Sequence, residues 1–425
     1  MKKTVVLSII LLFMIGIGFL FKYNFSNNST EPQKSPSDSE DNPPIVVSPP
    51  EKDNDQLLLE SLSLDEKIGQ LLMIGYKEAQ PVEKVREFVQ EYKVGGFILF
   101  NRNYSNLEDM VQTTNQLNAW NSSNPLPLFL SLDEEGGTVS RIPKEGTKLP
   151  DARLLGAIND TELTFRAGAV IGEELKAMGI NMDYAPVLDI VSSPDNRLLF
   201  KRSFGSTPEI VSKHGVEFIK GLYDQGVIAV PKHFPGHGDT IVDSHGKLPK
   251  IMIDKEKLLS RELVPFKAAI DAGIDALMVG HLSFPLIDAT ELPATKSEIF
   301  LGNILRDDLG YKGLIITDDI EMLGYLKNKA DLPEEIIRSL QAGVDIFLIG
   351  HTGEIQMDVF STIKTAVQNN IIPESRIDES VLRIIKVKTK YLLSENTSID
   401  LEQTKLIVGS AEHKEVLKEI TDRAK

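Results

Sequence analysis

Eight short apolar runs, separated by longer amphipathic stretches, constrain the fold of this chain more than any other feature. They lie at 72–76, 95–100, 128–133, 182–189, 227–233, 276–281, 314–318 and 346–350. A run without polar alternation is what a strand buried on both faces requires, and the intervening segments are long enough to carry crossover helices. The pattern predicts an α/β chain folded as a (β/α)8 TIM-type barrel. At 425 residues, with 41% hydrophobic and 25% charged residues, the chain suits one large barrel with extensions and excludes whole-chain disorder and collagen-like architectures. A doubly wound open sheet is the competing architecture, but no G-x-G-x-x-G phosphate loop follows the early strands.

The flanks read differently. Met1-Lys2-Lys3 precedes an uncharged apolar run at 4–21, long enough to span a bilayer. Residues 1–22 are expected to form an uncleaved signal anchor with a cytoplasmic N-terminus, so that the barrel lies outside the cell membrane. A cleaved signal peptide is the alternative, although no small-residue site follows Phe19-Leu20-Phe21. Residues 23–55, rich in Ser, Asn and Pro, read as a disordered tether. Order is expected over the barrel, 56–395, beginning with the capping-box pattern Ser63-Leu64-Asp65-Glu66, and a helical tail follows at 396–425. The formal charge of −16, with no basic stripe, excludes a nucleic-acid partner. The absence of cysteine removes disulfides, thiolate metal sites and cysteine nucleophiles. Chemistry must use oxygen and imidazole groups, and no cofactor is expected.

Polar residues end the apolar runs: Asp133, Asp189, Lys232-His233, His281 and Asp318. In a barrel these are the C-terminal strand ends, where functional groups collect. The densest stretch, Lys232 to His245, holds three of the seven histidines in a loop turned by Pro235, Gly236 and Gly238. In Asp243-x-His245 the carboxylate can orient the imidazole, so that its other nitrogen acts as acid and then base. Two blander readings accompany it. His233, His237, Asp239, Asp243 and His245 could ligate zinc or iron, or the cluster is a hydrogen-bonded loop, a reading that suits His237 best. Gly313 to Asp319 delivers two carboxylates at a strand end, and since adjacent strand residues face opposite ways, one is expected to look into the barrel mouth. Asp318 is taken as that residue, a candidate nucleophile for an anomeric carbon, and Asp319 as a helix-start or structural residue. Asp133, Arg141, Arg202, Lys232 and His233 offer the directional donors and acceptors of a sugar clamp.

These motifs, Lys-His-Phe-Pro-Gly-His-Gly-Asp-Thr at 232–240, Asp-Ser-His at 243–245, Arg-Ser-Phe-Gly at 202–205 and Thr-Asp at 317–318, resemble family 3 glycoside hydrolases of the β-N-acetylhexosaminidase branch. The resemblance runs from about Ser63 to Leu393. It implies a retaining exo-hydrolase that removes terminal β-linked N-acetylglucosamine from peptidoglycan fragments carrying N-acetylmuramic acid, and the chain is expected to be a monomer. By it, Asp318 is the nucleophile, His245 oriented by Asp243 is the acid/base, and Asp133, Arg141, Arg202, Lys232 and His233 hold the sugar, with no metal. Many relatives carry a second domain, and residues 408–413 resemble the bridge into it. A metal-dependent barrel hydrolase and a catalytically silent sugar-binding wall protein are the alternatives.

Overall fold

The computed structural model describes residues 53–238, 240, 247–326, 328–392 and 398–425. The expected anchor and nearly all of the tether, and also Asp243 and His245, lie outside them. Among the described residues no helix is long and apolar enough to cross a membrane.

All eight apolar runs contain a strand: β1 (Leu72–Ile74), β2 (Gly96–Ile98), β3 (Phe129–Leu132), β4 (Met182–Asp183), β5 (Ile228–Ala229), β6 (Ala276–Val279), β7 (Leu314–Thr317) and β8 (Phe347–Ile349). Every pairing between them is parallel. One sheet runs β5-β4-β3-β2-β1-β8, and β6 pairs with β7. Parallel bridges join the two sheets at both edges, Ile316 to Ile346 and Phe234 to Val279. This arrangement is consistent with a closed barrel. The strands are buried throughout, which is why the sequence shows apolar runs and not an alternating pattern. Two runs yield strands of only two residues, β4 and β5, because Pro186 and Pro231 cannot donate to the ladder. Pairing resumes beyond them at the bridge between Val187 and Lys232.

A helical segment follows each strand, among them Glu83–Gln90 after β1, Thr161–Ala177 after β3, Pro208–Asp224 after β4 and Gly353–Gln368 after β8. Their starts are chemically marked. Ser63 and Glu66 form the expected reciprocal capping box, and Asp160 accepts the Leu163 N–H at 3.1 Å. Order begins slightly earlier than the composition suggested, with the helix Asn54–Ser61.

The N-terminal end of the barrel is packed shut. Lys388, on the helix Glu374–Tyr391, is fully buried there and donates to Gln70 Oε1 at 2.7 Å and the Gly95 carbonyl at 2.9 Å, with its ammonium over the Phe129 ring. Burial holds its pKa well below the ordinary lysine value. Asp345, just before β8, takes Arg306 at 2.8 Å and Arg383 at 2.9 Å. The C-terminal tail packs back on the barrel. Its helix Ala411–Arg423 places His413 between Glu174, at 2.9 Å, and Glu173, at 3.0 Å, while Arg423 reaches Asp160 at 2.6 Å.

The helix Ala152–Ile158 approaches the segment that carries Arg202 with no room to spare, since a Cβ on Gly156 would stand 1.7 Å from the Phe204 carbonyl oxygen. Gly156→Ala is therefore expected to lower stability by about 1–3 kcal/mol, as overpacking does, measured by urea unfolding. An unchanged unfolding midpoint would show that the helix can retreat.

Candidate active site

The C-terminal strand ends surround a cleft of about 240 Å³. Asp133 follows β3, Lys232 and His233 end the run that contains β5, and Asp318 directly follows β7. Arg141 and Arg202 reach in from the loops after β3 and β4. All six border this one cleft, although they lie far apart along the chain.

Glu135 organises the clamp. Its carboxylate accepts Arg202 in a forked contact, Nε at 2.7 Å and Nη2 at 2.8 Å, and pairs with Lys232 Nζ at 2.7 Å. Lys232 also donates to Asp133 Oδ1 at 2.6 Å. Burial alone would raise the Glu135 pKa, but Lys232 and Arg202 hold it down to about 2. Burial would likewise lower Lys232 and Arg202, and the facing carboxylates raise both instead. Two anions and two cations thus form a quartet with no net charge. It suits a neutral polyol, offering fixed donors and acceptors without a field that attracts ions. Among the described residues Arg141 pairs with no carboxylate. Its backbone is fixed instead, its N–H donating to the buried Glu134 at 2.6 Å and its carbonyl accepting the Tyr104 hydroxyl.

Asp318 is set by its backbone, whose N–H donates to the Val279 carbonyl at 2.9 Å. The Asp319 N–H donates to Asp318 Oδ1 at 2.8 Å. Burial pushes the Asp318 carboxyl up, yet the neighbouring His233 and His281, the Asp319 N–H and Lys232 outweigh it and hold the group below the ordinary carboxylate value. It is an ionised carboxylate at the cleft wall, the state a nucleophile needs.

Some expectations need correction. Both Asp318 and Asp319 border the cleft, because β7 ends at Thr317 and the alternation of a strand no longer governs the residues beyond it. Asp319 does act structurally, its oxygens accepting the Glu321 N–H at 3.0 Å and the Gly350 N–H at 3.2 Å, but it opens a turn and not a helix. Burial raises its pKa to about 7. The ring nitrogens of His237 are buried and without a partner among the described residues, while its backbone N–H donates to Asp189 Oδ1 at 2.6 Å. Glu135 was not singled out by the sequence, nor was the aromatic His351, which packs against Phe100 at the rim with 5.0 Å between ring centroids. Only the cluster of acids in Asp133-Glu134-Glu135 hinted at the first. Among the described residues no three His, Asp or Glu side chains converge as metal ligands. Asp239, Asp243 and His245 lie outside that set.

Glu135→Gln would leave Lys232 and Arg202 buried beside a neutral amide. A loss of about 3–5 kcal/mol in unfolding free energy is expected, as for other broken buried pairs. A variant as stable as the parent would show that the quartet carries no such strain.

Comparison with known proteins agrees with this geometry. Residues 63–387 match the glycosyl hydrolase family 3 N terminal domain. The chain is 32% identical over 360 residues to beta-hexosaminidase A of Pseudoalteromonas piscicida, covering 79% of this chain and 60% of that relative. It is 33% identical over 334 residues to beta-hexosaminidase LpqI of Mycobacterium tuberculosis, covering 77% of this chain and 83% of the relative. The solved glycoside hydrolase family 3 beta-N-acetylglucosaminidase from Paenibacillus sp. str. FPU-7 is similar with a TM-score of 0.82 and 37% identity, over 86% of this chain and 69% of that one. The chain thus spans less than two thirds of the Pseudoalteromonas relative's length. A match across most of the folded chain, on the parallel strands that build the cleft, establishes that this chain belongs to glycosyl hydrolase family 3.

Proposed function

We propose that the chain is a retaining exo-β-N-acetylglucosaminidase that works through a covalent glycosyl-enzyme. The observation that carries this reading is Asp318, ionised at the wall of a small cleft whose other walls are a charge-balanced sugar clamp. The names of the relatives support the substrate class. The size of the cleft supports removal of a single terminal sugar.

In this mechanism Asp133, Arg141, Arg202, Lys232 and His233 hold the hydroxyls of the terminal sugar. Asp318 attacks the anomeric carbon while His245, oriented by Asp243, protonates the departing glycosidic oxygen. The deprotonated imidazole then takes a proton from the incoming water, which displaces Asp318 and restores the original anomeric configuration. The imidazole is cationic or neutral at every stage and never a second anion beside Asp318, so the carboxylate attacks in its ionised form and leaves in that form when water displaces it.

A paired-carboxylate mechanism with Asp319 as the acid is the second reading, favoured by its raised pKa. Against it, both Asp319 oxygens accept backbone N–H groups, contacts that favour the carboxylate over the acid.

Hydrolysis of a chromogenic N-acetyl-β-glucosaminide tests the assignment. Asp318→Asn should abolish turnover and the trapped glycosyl-enzyme seen by mass spectrometry. His245→Ala should slow substrates with poor leaving groups at least about 100-fold, the ordinary contribution of an acid catalyst, and activated aryl glycosides far less. Equal losses on both substrate types would remove His245 from the role of acid.

We further propose that the natural substrates are peptidoglycan fragments in which N-acetylglucosamine is joined to N-acetylmuramic acid. The expected result is release of free N-acetylglucosamine from that disaccharide with a higher kcat/KM than from the chitin disaccharide. A preference for the chitin disaccharide would redirect the assignment to chitin fragments.

A further inference from the structure

Asp189 belongs to none of the roles assigned so far, yet its carboxylate is fully buried behind the cleft and spans two elements of it. Oδ2 accepts from His233 Nδ1 at 2.7 Å, and Oδ1 accepts the backbone N–H of His237 at 2.6 Å. Its own carbonyl accepts the Ser203 hydroxyl at 2.7 Å, beside Arg202. One residue therefore touches the imidazole of the clamp, the chain next to the clamp arginine, and the point where the loop leading to Asp243 and His245 departs.

The chemistry of these contacts is directional. A carboxylate is an acceptor only, so the His233 nitrogen facing it must carry the proton. That leaves Nε2, which has no hydrogen-bond partner among the described residues, on a ring that borders the cleft. In the neutral ring its lone pair is then available to a sugar hydroxyl. With the proton on the other nitrogen the same ring would turn a lone pair toward the carboxylate, and the contact would be repulsive. Burial alone would raise the Asp189 pKa, but His233, His237 and their N–H groups hold it below the ordinary carboxylate value.

We propose that Asp189 is the positioning residue of the cleft: it fixes His233 in the Nδ1–H form, with Nε2 presented to the sugar, and sets the root of the loop in the same register. The role rests on the reading of the cleft as a glycosidase site, and it acts through His233 without touching substrate. His233 and the His237 N–H meet one buried carboxylate that lies 44 and 48 positions away in the chain, and this shared partner is what makes the clamp and the loop one unit.

The test is a double-mutant cycle on kcat/KM for the chromogenic glycoside, combining Asp189→Asn with His233→Gln. Each single change should cost roughly 10- to 100-fold, the span of one charge-assisted hydrogen bond. The double variant should lose clearly less than the product of the two single losses, because the part of the Asp189 effect that runs through His233 is already gone. Losses that multiply would overturn the proposal. Nitrogen-15 NMR of the parent protein supplies a readout independent of turnover and of how well the variants fold. The imidazole signal assigned by its disappearance in His233→Gln should show a proton on Nδ1 and a bare Nε2 when the ring is neutral. A neutral ring protonated on Nε2 alone would sink the idea even in an active enzyme. The expected signal in a protein with no glycosidase activity would leave Asp189 in place and discard the activity instead.

Discussion

The cleft depends on one fact of electrostatics: the cations buried in it are held by buried anions. Lys232 and Arg202 are held by Glu135, and Lys232 also by Asp133, so the clamp is a closed set of opposite charges and not a collection of independent side chains. Its members arrive from three different strand ends. Their mutual attraction in a site sheltered from water outweighs the cost of burying each only because the carboxylate oxygens meet donors. The barrel supplies the convergence, and the ion quartet supplies the orientation.

Much of this is legible in the chain itself. Eight apolar runs correspond to eight parallel strands, and of the polar residues ending those runs Asp133, Lys232, His233 and Asp318 border a single cleft. Pairing at long range is the part that stays hidden. Glu135 meets Arg202 across 67 positions and Asp133 meets Lys232 across 99, separations that no local spacing can encode. Asp189 is visible as a strand-end acid, but nothing in its neighbourhood of sequence indicates that its partners are His233 and His237. Asp319 was read through the two-residue period of a strand that had already ended at Thr317.

The tail offers a second lesson in the same terms. Its sequence leaves open whether residues 408–425 pack or fray, and the outcome turns on His413, which finds two carboxylates on the helix Thr161–Ala177. Glu174 also accepts the backbone N–H groups of Thr147 and Gly409, so it joins the loop after β3, the barrel wall and the tail. Burial opposes the charged form of His413, while the two glutamates favour it and raise its pKa.

The buried Lys388 at the far end of the barrel has a meaning for traffic. With that end stoppered, the molecule is a cup and not a tube. Whatever is seated deepest comes in first and goes out last, by the same door. In the proposed glycosidase a detached outer fragment drifts away at once, whereas the sugar held at the bottom blocks the next arrival until it too departs. Free sugar in the surroundings is then expected to compete for the same seat, and the pace of emptying the cup to set a ceiling on how fast it can be refilled.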